Sequence, residues 1–327
     1  MSAAKLTMAQ ALNAALRDAM QADDSVVVFG EDVGQLGGVF RVTDGLTASF
    51  GEKRCFDTPL AEAGIVGMAI GMAMNGFRPV VEMQFDAFAY PAFEQIVSHL
   101  AKLANRTRGR MRLPVVVRIP YGGGVGGVEH HSDSSEAYFA HTAGLVVVTP
   151  ATNQDAYGLL RQAIDCPDPV IFFEPKKHYF ISEPVDVTQP VAPIGRAEVR
   201  RTGTDVTLIS YGQSVSTCME AAEMAATEGR SIGVVDVRTL VPFDDETVVA
   251  EVRRTGRAVV VAEASGFASV ASEIAGRIFE QCFYFLEAPV RKVAGFDIPY
   301  PPPALEHHHL PSVERILDVV DELEWGS

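Results

Sequence analysis

No run of about 20 residues in this chain escapes a charge or a Gly/Pro break, so no segment has the length and apolarity of a membrane-spanning helix. No Lys/Arg cluster is long enough to follow a phosphate backbone. The 42 acids outnumber the 27 bases, which leaves a net charge of −15 and argues against nucleic acid as a partner. A basic protein surface suits that charge better. Cysteine is scarce: Cys55, Cys166, Cys218 and Cys282 stand far apart, with no C-x-x-C pair to suggest a disulfide framework or a zinc site. The N-terminus shows neither a secretory leader nor an Arg-rich transit segment, so the thiols are expected to be reduced in a cytoplasmic protein.

What is present is enough for large cores. Hydrophobic residues make up 47% of 327 positions, and an α/β chain of that length usually divides in two. The expected division is residues 1–185, a linker over 186–203 marked by Pro190 and Pro193 without periodicity, and residues 204–327.

Thr7 and Gln10 have capping-box spacing ahead of a helical apolar period at Leu12, Ala15, Leu16 and Met20. Val26 to Gly30 reads as a buried strand whose C-terminal edge carries Glu31 and Asp32, and in open α/β sheets ligands sit at that edge. As loop acids facing water, the two would need no further explanation.

Glu62 stands at the mouth of a segment of small and apolar residues that runs to Asn75 without another charge. Gly64, Gly67 and Gly71 fall on one helical face. An interior glycine costs a helix about 1 kcal/mol relative to Ala, so three of them imply that a second backbone or a ligand lies close. Glu62 can be read as a first-turn acid favoured by the helix dipole. It can also be read as a carboxylate in apolar surroundings that shares a proton with a ligand. A strand from Arg78 to Phe85 follows, then an amphipathic helix over 93–110.

After a strand near 113–120, Gly122, Gly124 and Gly127 satisfy G-x-G-x-x-G. The match to a dinucleotide fingerprint is weak, because no helix is due on the glycines and no acid closes the next strand, which ends at Val148-Thr149-Pro150. A mobile loop that lets backbone approach a ligand is the better reading. Asp133 and Glu136 have capping-box spacing, which would put His131 just before a helix N-terminus and keep it mostly neutral. His130 and His131 lack the further ligands that a zinc site needs.

The run Asp57-Thr58-Pro59-Leu60-Ala61-Glu62, the Gly/Ala/Met helix, and Glu82 to Ile96 resemble the β subunit of the thiamin-dependent 2-oxo acid dehydrogenase E1 component, most closely the branched-chain form. Asp236 to Asp244 resembles a signature of the transketolase-like C-terminal domain, so the resemblance covers nearly the whole chain. It implies two doubly wound α/β domains: a transketolase-like pyrimidine-binding domain, then a transketolase C-terminal-like domain.

It also implies roles. The family's glutamate at the position of Glu62 hydrogen-bonds the aminopyrimidine N1′ of thiamin diphosphate, an aromatic at Phe88 stacks on that ring, and Gln84 would line the same wall. Gly30-Glu31-Asp32-Val33 is similar to a family motif whose first acid is placed in a proton relay between paired active sites. His131-Ser132-Asp133 with Glu136 resembles a His-Ser-Gln-x-x-Glu motif whose histidine serves acyl transfer, and Asp133 departs from its Gln.

In relatives the turn after about Ile164 holds a structural potassium ion (K+), mainly through carbonyls. That expectation carries over to Val115, Ala163, Ile164, Cys166 and Asp168. The Gly-Asp-Gly…Asn motif for Mg2+ and diphosphate is missing, which implies an E1 α subunit in an α2β2 heterotetramer. Further implied partners are a 2-oxo acid substrate and the E2 lipoyl acyltransferase, whose basic binding domain would meet Asp297, Asp318, Asp321, Glu322 and Glu324. Two other classes stay open here: a nicotinamide dehydrogenase, and a noncatalytic interaction subunit indifferent to changes at Glu62 and His131.

Overall fold

Thr7 opens the first helix through a reciprocal cap, its hydroxyl accepting the Gln10 amide while the Gln10 side chain accepts the Thr7 amide. A computed structural model describes residues 4–324. The helix Met8–Ala22 buries the apolar period seen in the sequence and packs against the helix Asn153–Asp165, which Thr152 caps by accepting the Asp155 amide.

Strand β1 (Ala4–Thr7) is the first described element. The β-rich apolar runs then form β2 (Val26–Gly30), β3 (Cys55–Asp57), β4 (Arg78–Glu82), β5 (Val116–Tyr121), β6 (Val146–Val148), β7 (Val170–Pro175) and β8 (Ser182–Val185). The second part supplies β9 (Glu198–Arg201), β10 (Val206–Ser210), β11 (Ile232–Asp236), β12 (Thr239–Val241), β13 (Ala258–Ser265) and β14 (Arg291–Gly295). The first sheet has the order β12-β6-β7-β5-β4-β2-β3, and all its pairs are parallel except β12 with β6. The second has the order β14-β13-β10-β11-β9, parallel except at β9. Their central strands are buried on both faces, as parallel sheets covered by crossover helices require.

The signature around Asp236 to Asp244 has a structural task. Its strand β12 leaves the second sheet and pairs with β6 of the first. Asp236 and Arg238, with Arg200, form an ion-pair cluster on Asp155 of the first part, with Arg238 Nη2 2.6 Å from Asp155 Oδ1. One apolar core runs through Phe29, Val117, Phe173, Tyr211, Val235 and Ile274, and so through both parts. Between β8 and β9 the chain is strapped to the helix Asn153–Asp165, where Gln154 and Gln162 bond the backbone of Asp186, Val191 and Ile194. Residues 198–201, expected in the linker, form an edge strand of the second sheet.

The helix expected over 93–110 is not continuous. A 3-10 turn covers Asp86–Ala92, a π-helical turn Gln95–Leu100, and a short α turn Leu103–Arg106. In the π turn the Ala101 amide reaches Ile96 O at 2.9 Å, five residues back, and this widening carries Leu100 and Ala101 into the core. Pro91 has no amide to extend the first turn.

Candidate active site

β2 is the point where the first sheet changes direction, since β3 lies on one side of it and β4 on the other. The C-terminal edge at such a point is where open α/β sheets hold ligands. Glu31 follows β2, Thr58 follows β3, Glu62 begins the helix Glu62–Met74, and Gln84, Phe85 and Phe88 follow β4. That helix packs against the turn Asp86–Ala92, which carries Phe88.

Glu31 and Glu62 each retain only 8% of their surface. Burial, then the charges of Glu62 and Asp32, push the Glu31 carboxyl above its ordinary range. Among the described residues, Glu31 Oε1 and Thr58 Oγ1 are buried without a hydrogen-bond partner. Gln84 Nε2 donates to Asp32 Oδ2 at 3.0 Å and ties the ends of β2 and β4 together.

The histidine loop closes this edge from β5. The His131 ring lies 4.2 Å from Phe85 and 5.5 Å from Phe88, centroid to centroid and edge to face in both cases. Desolvation lowers its pKa, helped by His130 and Lys176, which favours the neutral imidazole. The expected direction is found, with a different cause. His131 ends a single 3-10 turn, Glu129–His131, and the next helix, Glu136–Ala140, starts beyond it.

The capping box expected from Asp133 and Glu136 is absent. Ser135 is the cap residue and makes no side-chain cap bond. Asp133 instead accepts the Tyr90 hydroxyl at 3.2 Å, and Glu136 accepts the Tyr211 hydroxyl at 2.7 Å. A distant tyrosine binds each carboxylate, and neither caps the helix.

The glycine face of the helix Glu62–Met74 is open within this chain. A Cβ at Gly71 would meet nothing within 4 Å, one at Gly64 only Ala61 at 3.7 Å, and one at Gly67 only Gln95 at 3.8 Å. The close backbone neighbour expected there is not supplied by these residues. Leu60, Met68, Met74 and Phe77 are exposed around the same helix.

No helix opens on Gly122 to Gly127, and the amides that a dinucleotide's pyrophosphate would need are engaged by carboxylates. Gly123 N donates to Glu263 and Gly126 N to Glu306. An anion would be repelled there, which removes the nicotinamide reading.

At the turn after Ile164, Val115 O accepts Val170 N, Ile164 O accepts Arg78 Nη1 at 2.9 Å, Cys166 N bonds Ala163 O, and Asp168 pairs with Arg112. Arginines already supply the positive charge at this helix C-terminus. Among the described residues no cluster of His, Cys, Asp or Glu suits a metal ion, and all four cysteines are unbridged. No described helix is long and apolar enough to cross a membrane.

Sequence reasoning missed the charges beneath the loop. Lys176 is buried, its Nζ is without a hydrogen-bond partner among the described residues, and it lies 6.0 Å over the Phe85 ring. Burial lowers its pKa, while Asp86, Glu263 and Asp133 oppose that shift. Asp86, raised by burial, accepts the amide and hydroxyl of Ser135. The only signal was an acid inside the aromatic run Phe85 to Phe88. Of the acidic tail, Asp321 pairs with Arg230, Glu322 with Arg291, and Asp297 accepts the Phe267 amide. The Glu324 side chain and residues 325–327 lie outside the described part.

Residues 4–181 match the transketolase pyrimidine-binding domain family, and residues 195–316 match the transketolase C-terminal domain family. The chain is 55% identical to the 3-methyl-2-oxobutanoate dehydrogenase subunit beta of Mycobacterium tuberculosis, over 97% of this chain and 92% of that protein. It is 54% identical to the pyruvate dehydrogenase E1 component subunit beta of Leifsonia xyli, over 97% and 94%. It is 45% identical to the 2-oxoisovalerate dehydrogenase subunit beta of Bacillus subtilis, over 96% and 97%. Among solved structures it shares its fold with a split gene transketolase, described as an inactive beta4 tetramer, at a TM-score of 0.79 and 24% identity over 98% of each chain.

Proposed function

The chain belongs to the β subunits of the 2-oxo acid dehydrogenase E1 component, and on that premise we propose that it forms the pyrimidine half of a thiamin diphosphate site in a branched-chain 2-oxo acid dehydrogenase. The observation that carries this reading is a pair of buried acids at one sheet edge, Glu31 and Glu62, with Glu31 Oε1 left without a partner among the described residues. Buried polar atoms cost about 1–3 kcal/mol when unsatisfied, so such an edge is suited to a polar heterocycle.

Bound thiamin diphosphate would supply the carbanion chemistry that decarboxylates the 2-oxo acid. Glu62 would hold the proton shared with N1′ of the pyrimidine, Phe88 would support that ring and Gln84 would line its wall. Glu31, whose carboxyl is raised by burial and by the charges of Glu62 and Asp32, would be the acid that relays a proton between sites. Neutral His131 can accept or give the proton that acyl transfer to a lipoyl group requires.

The chain lacks a Gly-Asp-Gly…Asn element, so an α subunit would hold Mg2+ and the diphosphate in an α2β2 assembly. E2 would receive the acyl group, and its basic binding domain suits a net charge of −15. A potassium ion held mainly by carbonyls at the turn after Ile164 would be structural and take part in no step. The setting is cytoplasmic.

A pyruvate-specific E1 is the second reading, favoured by the relative of that name at 54% identity. Calorimetry tests the half-site: the chain alone should bind thiamin diphosphate with Mg2+ weakly or not at all, and gain tight binding once its α partner is added. Tight binding by the chain alone would sink the proposal. Comparing kcat/KM for 3-methyl-2-oxobutanoate and pyruvate in the assembled enzyme then separates the two substrates.

A further inference from the structure

The loop that carries His131 contains five glycines between Tyr121 and Val128, with Gly122 and Gly124 at φ 83° and 80°. A segment of this composition has many conformations to lose on folding. It is nonetheless held along its length, by residues more than a hundred positions away. Glu263 Oε1, on β13, accepts Gly123 N and the Ser134 hydroxyl, each at 2.9 Å. Glu306 accepts Gly126 N at 3.1 Å through Oε1 and Gly124 N at 3.2 Å through Oε2. The Tyr300 hydroxyl accepts Gly124 N at 3.2 Å and donates to Glu306 Oε2 at 3.0 Å.

Glycine is needed because this grip is close. A Cβ at Gly122 would press on the Glu263 carboxylate, and one at Gly123 would collide with the Tyr300 ring. His309, the buried member of the run His307 to His309, lies 5.2 Å from Tyr300 and backs it. Charge-assisted bonds from carboxylate to amide are about twice as strong as neutral ones, so two acids can order a loop that composition alone would leave free.

We propose that Glu263, Tyr300 and Glu306 of the second domain are positioning residues for acyl transfer. They grip the loop from one side and thereby set the His131 ring against Phe85 and Phe88 on the other. This rests on the acyl-transfer reading of His131 above. None of the three touches the reacting atoms. The aminopyrimidine wall at Glu62, Gln84 and Phe88 is built from other segments, so decarboxylation and acyl transfer separate when the grip is released.

Glu306 is half-buried at the start of a short helix, and Glu306→Ala is expected to fold with an unchanged thermal midpoint. In the full chain, alone and assembled with its α partner, hydrogen exchange over residues 122–131 should rise by about tenfold or more. Misplacement of a reacting group by about 1 Å can cost 100-fold, so lipoyl acylation should fall between 10-fold and 100-fold. Decarboxylation measured with an artificial electron acceptor should stay within about twofold, since the positioning cost falls on His131 alone. Glu306→Gln keeps one acceptor oxygen and should fall between the two.

Unchanged exchange in Glu306→Ala would overturn the grip. A loosened loop with wild-type acylation would overturn its positioning role. If the wild-type assembly acylates no lipoyl group, the acyl-transfer reading fails, and the exchange measurement still judges the grip.

Discussion

Arg118, Glu82 and Glu174 lie inside the first sheet with no buried polar atom left unpartnered, whereas Glu31, Thr58 and Lys176 lie at or beneath its C-terminal edge with polar atoms left over among the described residues. The Arg118 guanidinium meets Glu174 through two bonds, at 2.6 and 2.9 Å, and Glu82 through one at 2.7 Å, and the Tyr179 hydroxyl caps Glu174. Burial raises the Glu82 pKa against the pull of Arg118, which moves the cluster of two acids and one base toward neutrality. A few residues away, past the ends of β2 and β3, Glu31 lies beside Glu62, and among the described residues neither is in an ion pair. Both regions are charged and buried. Folding closes the first on itself and leaves polar atoms of the second without partners among the described residues.

Glu62→Gln tests the open region and should have the largest effect. The amide keeps the shape but cannot carry the proton, so decarboxylation in the assembled enzyme should drop by roughly 10²–10⁴-fold, the range of general acid-base contributions. The unfolding midpoint in urea should hardly move. Activity within about threefold of wild type would reduce Glu62 to a first-turn acid favoured by the helix dipole. Arg118→Met tests the closed region. It strands two carboxylates, and breaking a buried pair costs about 3–5 kcal/mol, read as a lower urea midpoint at constant slope. The comparison breaks if Arg118→Met is neutral, or if Glu62→Gln destabilises as much.

The parts of the molecule governed by local pattern were legible in the sequence. Capping at Thr7, the apolar strands and the charge-free helix from Glu62 all follow from spacings within a few residues. The parts governed by distant partners were not. Tyr211 and Tyr90 draw Glu136 and Asp133 out of a cap that their spacing allows. The glycines of 122–127 look mobile until Glu263 and Glu306 arrive from the other domain. The motif Asp236 to Asp244 was recognised as a signature, but its work as a strand donated to the first sheet and an ion pair on Asp155 needs the fold to be seen. In the candidate site, residue types and their strand ends were readable, whereas the buried Lys176 Nζ over the Phe85 ring was not, because Lys176 sits in sequence among ordinary surface-type charges.

Glu136 stands between the two regions, and its pH response sharpens where the line falls. It is buried, one oxygen accepts Tyr211, and the other has no partner among the described residues. Burial, with Glu263 adding to it, raises its pKa from 4.5 to about 7. A carboxyl raised in the folded state binds a proton that the unfolded chain has already lost, so its contribution to stability is complete below pH 4.5 and declines as pH rises through about 7. Each unit of displacement is worth about 1.4 kcal/mol. Glu136→Gln cannot lose a proton, and its amide oxygen can still accept Tyr211. Urea unfolding of wild type and Glu136→Gln between pH 5 and 8 should therefore show the variant gaining on wild type as pH rises, levelling off above about pH 7. Taking the difference cancels the other titrating groups. A difference independent of pH would mean that Glu136 is ionised in the folded protein throughout, with its second oxygen satisfied as fully as those of Glu174, and would place it with the closed cluster around Arg118.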